Sequence, residues 1–155
     1  MRRYKPANKE INLTDQEDKP SKYKNKKVIV DGMKFDSEIE YRFWLHLTSI
    51  YPENEIERQP VYELLPKFNR KSKIFRSIKY IADFRVGNIV YDVKGMITPD
   101  FAIKYKLFHY VFEDLKLKLM TECPKKFRAL NGGDEWIETD NLRIFRKNGK
   151  TKKGK

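Results

Sequence analysis

At 155 residues and 39% hydrophobic, the chain has room for one domain with a modest core plus tails, not for two full domains. Lys and Arg number 34 against 22 acids, a formal charge of +12, which favours a polyanionic partner; the basic residues are spread along the chain rather than lined on one amphipathic helix, so nucleic acid is favoured over a membrane surface. Cys123 is the only cysteine, which excludes an intramolecular disulfide, and His46 and His109 supply no zinc cluster; with no apolar run near the roughly 18 residues a spanning helix needs and no signal-peptide segment after the basic start, a cytoplasmic protein is expected.

Residues 1–26 are polar, mixed in charge and without apolar periodicity, and predict a flexible basic arm. "KKVIVDGMKF" contains a β-rich run with a turn at Asp31–Gly32, and "FDSEIEYRFWLHLTSIY" follows with helical spacing. There Ile39, Phe43 and Leu47 form one stripe that Trp44 widens, Asp36 or Ser37 offers the cap, and the helix should stop near Tyr51–Pro52. "VYELLPKF" predicts a strand, and "NRKSK" a polar connection after it. A second strand is expected near Phe75–Val86, a tight turn at Gly87–Asn88, and a third strand near Ile89–Lys94. In "TPDFAIKYKLFHYVF", Thr98 is a cap, Pro99 takes the first helical position, and Phe101, Tyr105 and Phe108 recur at helical spacing. "LKLKLMTE" alternates as a fourth strand, "EWIETDNLRIF" is ambiguous, and residues 146–155 predict a basic disordered tail.

The chemistry concentrates in "IKYIADFRVGNIVYDVKG". Asp92 and Lys94 are two residues apart on one strand and share a face, while Tyr91 and Val93 point the other way. If the turn pairs the strands, Asp83 stands across from Asp92, and two opposed carboxylates repel unless something positive sits between them. A divalent metal ion is the natural candidate, because Mg²⁺ takes one or two carboxylates, keeps waters and shares its shell with phosphate. Lys94 beside it could orient a water and stabilise charge on a phosphate, which is chemistry for phosphodiester hydrolysis. Glu40 could complete the site from the first helix. Each residue also has a plain reading: Ser37 with Glu40 is a capping box, Asp92 with Lys94 an exposed ion pair, and Asp83 a solvated strand residue.

"SEIE", "YIADF" and "YDVKG", in this order over residues 28 to about 121, resemble the PD-(D/E)XK nuclease superfamily, with small phage-encoded nucleases such as the endonuclease I type of Holliday-junction resolvase as the nearest likeness. The resemblance implies an α/β restriction-endonuclease-like core of helix, three strands, helix and strand, a mixed central sheet flanked by helices, spanning residues 27–145. It implies Glu40, Asp83, Asp92 and Lys94 as catalytic residues, and Glu40, Asp83, Asp92 and Val93 as holders of Mg²⁺ or Mn²⁺. Ala82 stands where the pattern usually has proline, a departure that touches backbone rather than chemistry.

Arg70, Lys71, Lys73, Arg76 and Lys79 lead into the hairpin and are candidate nucleic-acid contacts, or else a solvated basic loop. Lys104 and Lys106 on the second helix occupy a region where such enzymes place a residue near the phosphate. Gln59 either caps a turn, the favoured reading, or contacts phosphate. The 14% aromatic content, with Phe43, Trp44, Tyr105 and Phe108 at helical spacing, reads as core rather than a stacking platform. The function expected is a Mg²⁺-dependent DNA endonuclease acting on branched DNA in phage recombination, as a homodimer in the host cytoplasm. A restriction-type or transposon-end nuclease with the same site, and a non-catalytic basic nucleic-acid-binding protein, are the alternatives.

Overall fold

The computed structural model describes residues 27–94 and 97–151; the expected N-terminal arm and the last residues of the basic tail lie outside them. The chain divides into two compact units, Met1–Leu47 and Thr48–Lys155.

In the first unit, β1 (Val28–Val30) and β2 (Met33–Phe35) pair antiparallel around Asp31 and Gly32. Both turn residues have positive φ, 50° and 77°, the geometry that matches a tight turn to the twist of its strands. Helix α1 (Glu38–Thr48) follows, burying Phe43, Trp44 and Leu47 on one stripe, and the Phe35 ring meets Tyr41 and Trp44. The helix ends before the Tyr51–Pro52 stop that the sequence suggested.

The second unit is built on a five-stranded sheet with β3 (Ile56–Arg58), β8 (Phe84–Val86), β9 (Ile89–Val93), β10 (Lys116–Glu122) and β11 (Trp136–Glu138). Its spatial order is β11-β10-β9-β8-β3. Only β9 and β10 run parallel, so the sheet is mixed, and α2 (Pro99–Val111) makes the crossover between them. Thr98 Oγ1 accepts the Phe101 N–H at 3.3 Å and Pro99 opens the helix, as the sequence indicated. Phe101 and Phe108 of α2 pack onto Tyr62, Tyr80, Val90, Leu117 and Leu119, so the aromatic residues do form core. Each such buried ring contributes about 1.5–3 kcal/mol of apolar burial.

Three sequence expectations change. The strand expected near Phe75–Val86 is three pieces: β6 (Lys73–Phe75), β7 (Ile78–Ile81) and β8. "NRKSK" is not a connection but the tip of a ribbon, in which β5 (Phe68–Arg70) pairs with β6. "VYELLPKF" supplies β4 (Val61–Leu65), which pairs with β7 outside the central sheet; the first central strand is β3, unrecognised in the charged "ENEIERQ". Together β3–β4–β5 and β6–β7–β8 form one long interrupted hairpin.

After β10 come α3 (Lys125–Arg128), β11 and α4 (Thr139–Thr151). The ambiguous "EWIETDNLRIF" is thus a strand followed by a helix, and the expected tail from residue 146 begins inside α4. Leu142 and Phe145 hold that helix on a small core of Cys123, Phe127 and Ile137. Among the described residues no helix is long and apolar enough to cross a membrane.

Candidate active site on the hairpin between β8 and β9

Phe84 stands opposite Tyr91 and Val86 opposite Ile89, the register set by a two-residue turn at Gly87–Asn88. Asp83 lies one residue before β8, and its N–H donates to the Tyr91 carbonyl at 3.2 Å, so the hairpin continues far enough to bring Asp83 beside Asp92. The strand pieces break here for a backbone reason. Pro60, opposite Ala82, has no N–H to give the ladder, and Gln59 sits at φ 49°. The register survives the kink, because the Gln59 N–H still donates to the Asp83 carbonyl at 2.9 Å and the Ala82 N–H to the Pro60 carbonyl at 3.1 Å. The backbone of Gln59 thus belongs to the ladder between the two arms of the long hairpin.

Val93 lies past the last residue pair with β8, and Asp83 Oδ2 accepts its N–H at 2.6 Å. The Lys94 N–H turns to the other neighbour and donates to the Met120 carbonyl of β10 at 2.9 Å. Asp83 is thus pinned to the end of β9 by its side chain.

Asp92 is fully buried, at 0% exposure. A charge in that position demands partners, and two arrive from opposite sides. The Tyr80 hydroxyl donates to Oδ2, and Lys94 Nζ lies 2.9 Å from Oδ1 while also resting 4.8 Å from the centre of the Phe101 ring. Oδ1 has the ammonium beside it but no hydrogen bond of good geometry, so it keeps a lone pair for another ligand. Burial first, and then the Asp92 carboxylate, push the Tyr80 phenol far above its ordinary value of 10.0, so it stays protonated and donating. Asp83 adds to that shift, which ties the two acids, Tyr80 and Lys94 into one electrostatic cluster.

Beside this cluster lies a cleft of about 350 Å³ lined by Lys79, Tyr80, Lys94, Thr98, Phe101 and Lys104, among others. Three ammonium groups and the Asp100 carboxylate stand on its walls, which leaves the cleft with an excess of positive charge. Lys104 is shared with Asp100 at 3.1 Å. Lys106 is exposed on α2 and does not line the cleft. Arg70, Lys71, Lys73 and Arg76 are exposed along the long hairpin.

Glu40 belongs to the other unit, and its visible work is at the start of α1. Its Oε2 accepts the Asp36 N–H at 2.9 Å, and its own N–H donates to Ser37 Oγ at 3.2 Å, a close variant of the capping box. The carboxyl group is buried in the process.

No group of three His, Cys, Asp or Glu side chains stands together among the described residues. Mg²⁺ asks for less, one or two carboxylates with water and phosphate oxygens completing its shell. Asp83 and buried Asp92 fit that requirement. The positive charge demanded by the opposed acids is met in part by the protein itself, through Lys94 and the Val93 N–H. Tyr80 was not singled out from sequence. Its signal was a phenol on a core-facing strand next to acids, since a buried hydroxyl needs an acceptor.

The model of a family described as "Protein of unknown function (DUF1064)" matches residues 20–128, which takes in α1, the long hairpin, both acids, Lys94 and α2. The chain belongs to that family. No curated protein and no solved structure matches it.

Proposed function

We propose that the chain is a metal-dependent endonuclease that hydrolyses DNA phosphodiester bonds, on a restriction-endonuclease-like core, and that it selects branched DNA as a homodimer. The observation that carries this reading is buried Asp92, joined to Lys94 at 2.9 Å and neighboured by Asp83, at the edge of a lysine-lined cleft. An ordinary basic binding surface gains nothing from acids at its centre, because they repel phosphate. Element order supports the core: of the central-sheet strands, β3, β8 and β9 lie between α1 and α2 in sequence, and β10 follows α2.

In this reading Asp83 and Asp92 would hold Mg²⁺ or Mn²⁺, with the Val93 carbonyl as a further donor. Such an ion supplies an activated water and a Lewis acid for the phosphate. Lys94 donates to a non-bridging phosphate oxygen, where negative charge builds as water attacks phosphorus and the P–O bond to the leaving strand breaks. Asp92 keeps the Lys94 ammonium in place, and Tyr80 keeps Asp92 in place. Lys79 and Lys104 draw the backbone into the cleft. Branched DNA requires two coordinated cuts, hence the dimer.

The test is incubation of the purified chain with a labelled four-way junction and a linear duplex of matching sequence, with Mg²⁺ and with chelator. Paired Mg²⁺-dependent cuts confined to the junction are expected. Equal cutting of both substrates would leave a general or restriction-type nuclease, and no cutting, with binding retained, a basic nucleic-acid-binding protein.

A further inference from the structure

Between Leu64 and Ala82 the chain carries Lys67, Arg70, Lys71, Lys73, Arg76 and Lys79 and no acid. This segment is the outer half of the long hairpin. At its tip every residue of β5 is exposed, and in β6 only Phe75 is half-buried. A two-stranded ribbon wet on both faces is marginal in water. Its pairing adds a penalty, since Arg70 stands directly opposite Lys73 and like charges so placed repel. Among the described residues no carboxylate pairs with either one.

What holds the tip is local. Phe68 and Phe75 face each other across the ribbon with ring centres 4.7 Å apart and planes within 5°, and Lys73 Nζ lies 5.2 Å from the Phe75 ring centre. Strand alternation puts Phe68, Arg70, Lys73 and Phe75 on one face, and Asn69 with Ile74, which is 60% exposed, on the other. The aromatic rings stack on each other across the ribbon. The two opposed cations are the unmet requirement, and a phosphate between them would turn the repulsion into attraction.

We propose that Phe68–Phe75 is a duplex-binding arm that lies in the major groove of DNA with Arg70 and Lys73 against the phosphates of one groove wall. The major groove admits a two-stranded ribbon, whereas the minor groove, about 6 Å wide, is too narrow for two strands and their side chains. The arm is distinct from the cleft beside Lys94, and rests on the nuclease reading only in naming DNA as the polyanion.

The experiment measures binding alone, in chelator, over a series of salt concentrations, using a labelled linear duplex and a single strand of the same length. The variant Arg70→Ala/Lys73→Ala is compared with Lys125→Ala/Lys126→Ala, which removes the same charge from exposed positions on α3. All four sites lie outside the buried cores, so thermal unfolding should match the parent. The arm variant is expected to bind the duplex at least about tenfold more weakly and to lower the slope of log K against log salt by about 2, while the α3 variant changes both far less. On the single strand the two variants should behave alike. Equal weakening of duplex binding by both variants would reduce the effect to net charge and overturn the arm; an equal loss on single strand and duplex would overturn the groove. A parent chain that never cleaves but shows arm-dependent duplex binding sinks the nuclease reading and leaves the arm standing.

Discussion

Tyr80 gives its hydroxyl hydrogen to Asp92 Oδ2 while Lys94 meets Oδ1, so a fully buried carboxylate is held from β7 on one side and from the residue after β9 on the other. Removing the hydroxyl leaves a charged acceptor buried with one partner fewer. Tyr80→Phe should therefore lower unfolding stability by about 1–3 kcal/mol, although the ring and its contacts with Phe101 and Phe108 remain. Denaturant unfolding of the two proteins measures the difference. Equal midpoints and slopes would mean that the hydroxyl contributes nothing to holding Asp92.

The same phenol makes stability sensitive to alkali. Burial raises Tyr80 in the folded chain, and Tyr91 as well, above the ordinary 10.0 that each would show unfolded. Above that value the unfolded chain has released these protons while the folded chain still binds them. Folding stability from this source is complete below 10.0 and falls as pH rises beyond it, since the unfolded state then carries fewer protons. Denaturant midpoints taken from neutrality to beyond that point should be flat with respect to these phenols and then decline. Tyr80→Phe should decline less steeply; an identical alkaline limb in both proteins would remove Tyr80 from the account.

The parts of this site that sequence reveals are those fixed by short-range geometry. A two-residue Gly-Asn turn sets the register of β8 on β9, and alternation alone puts Asp92 and Lys94 on one face. Thr98 and Pro99 announce α2 in the same local way. The break at Ala82–Asp83 is invisible locally, because its cause is Pro60 with Gln59 on the partner strand. The ribbon at Phe68–Phe75 escaped notice because it buries almost nothing, leaving no apolar alternation to read. Tyr80 meets Asp92 through folding of the hairpin onto α2 and β9, a contact that spacing along the chain cannot announce.

If Asp83 and Asp92 hold the metal ion, neutralising either one should stop cleavage without weakening DNA binding. Asp92→Asn and Asp83→Asn keep the volume of the side chain and take away a negative charge near the lysine-lined cleft. Cleavage should fall by on the order of 10²–10³-fold or more, in line with losing a principal electrostatic group. Binding to the junction in chelator should be unchanged or tighter, because one source of repulsion toward phosphate is gone. Parent-like cleavage by Asp92→Asn would end the nuclease assignment.

Glu40 is the residue whose two readings can be separated most sharply. Its carboxyl accepts the Asp36 N–H at 2.9 Å, and a glutamine side-chain oxygen can accept that bond equally well, since either residue serves in a capping box. Glu40→Gln should therefore leave unfolding close to the parent, whereas Glu40→Ala removes the acceptor and should lose about 0.5–2 kcal/mol. A metal ligand responds differently, because the amide lacks the charge that a hard cation selects. Were Glu40 a metal ligand, as the family resemblance implies, Glu40→Gln would fold like the parent and cleave poorly, with a higher Mg²⁺ concentration needed for half-maximal rate. Full cleavage with ordinary Mg²⁺ dependence would confine Glu40 to the start of α1 and leave Asp83 and Asp92 as the whole carboxylate set.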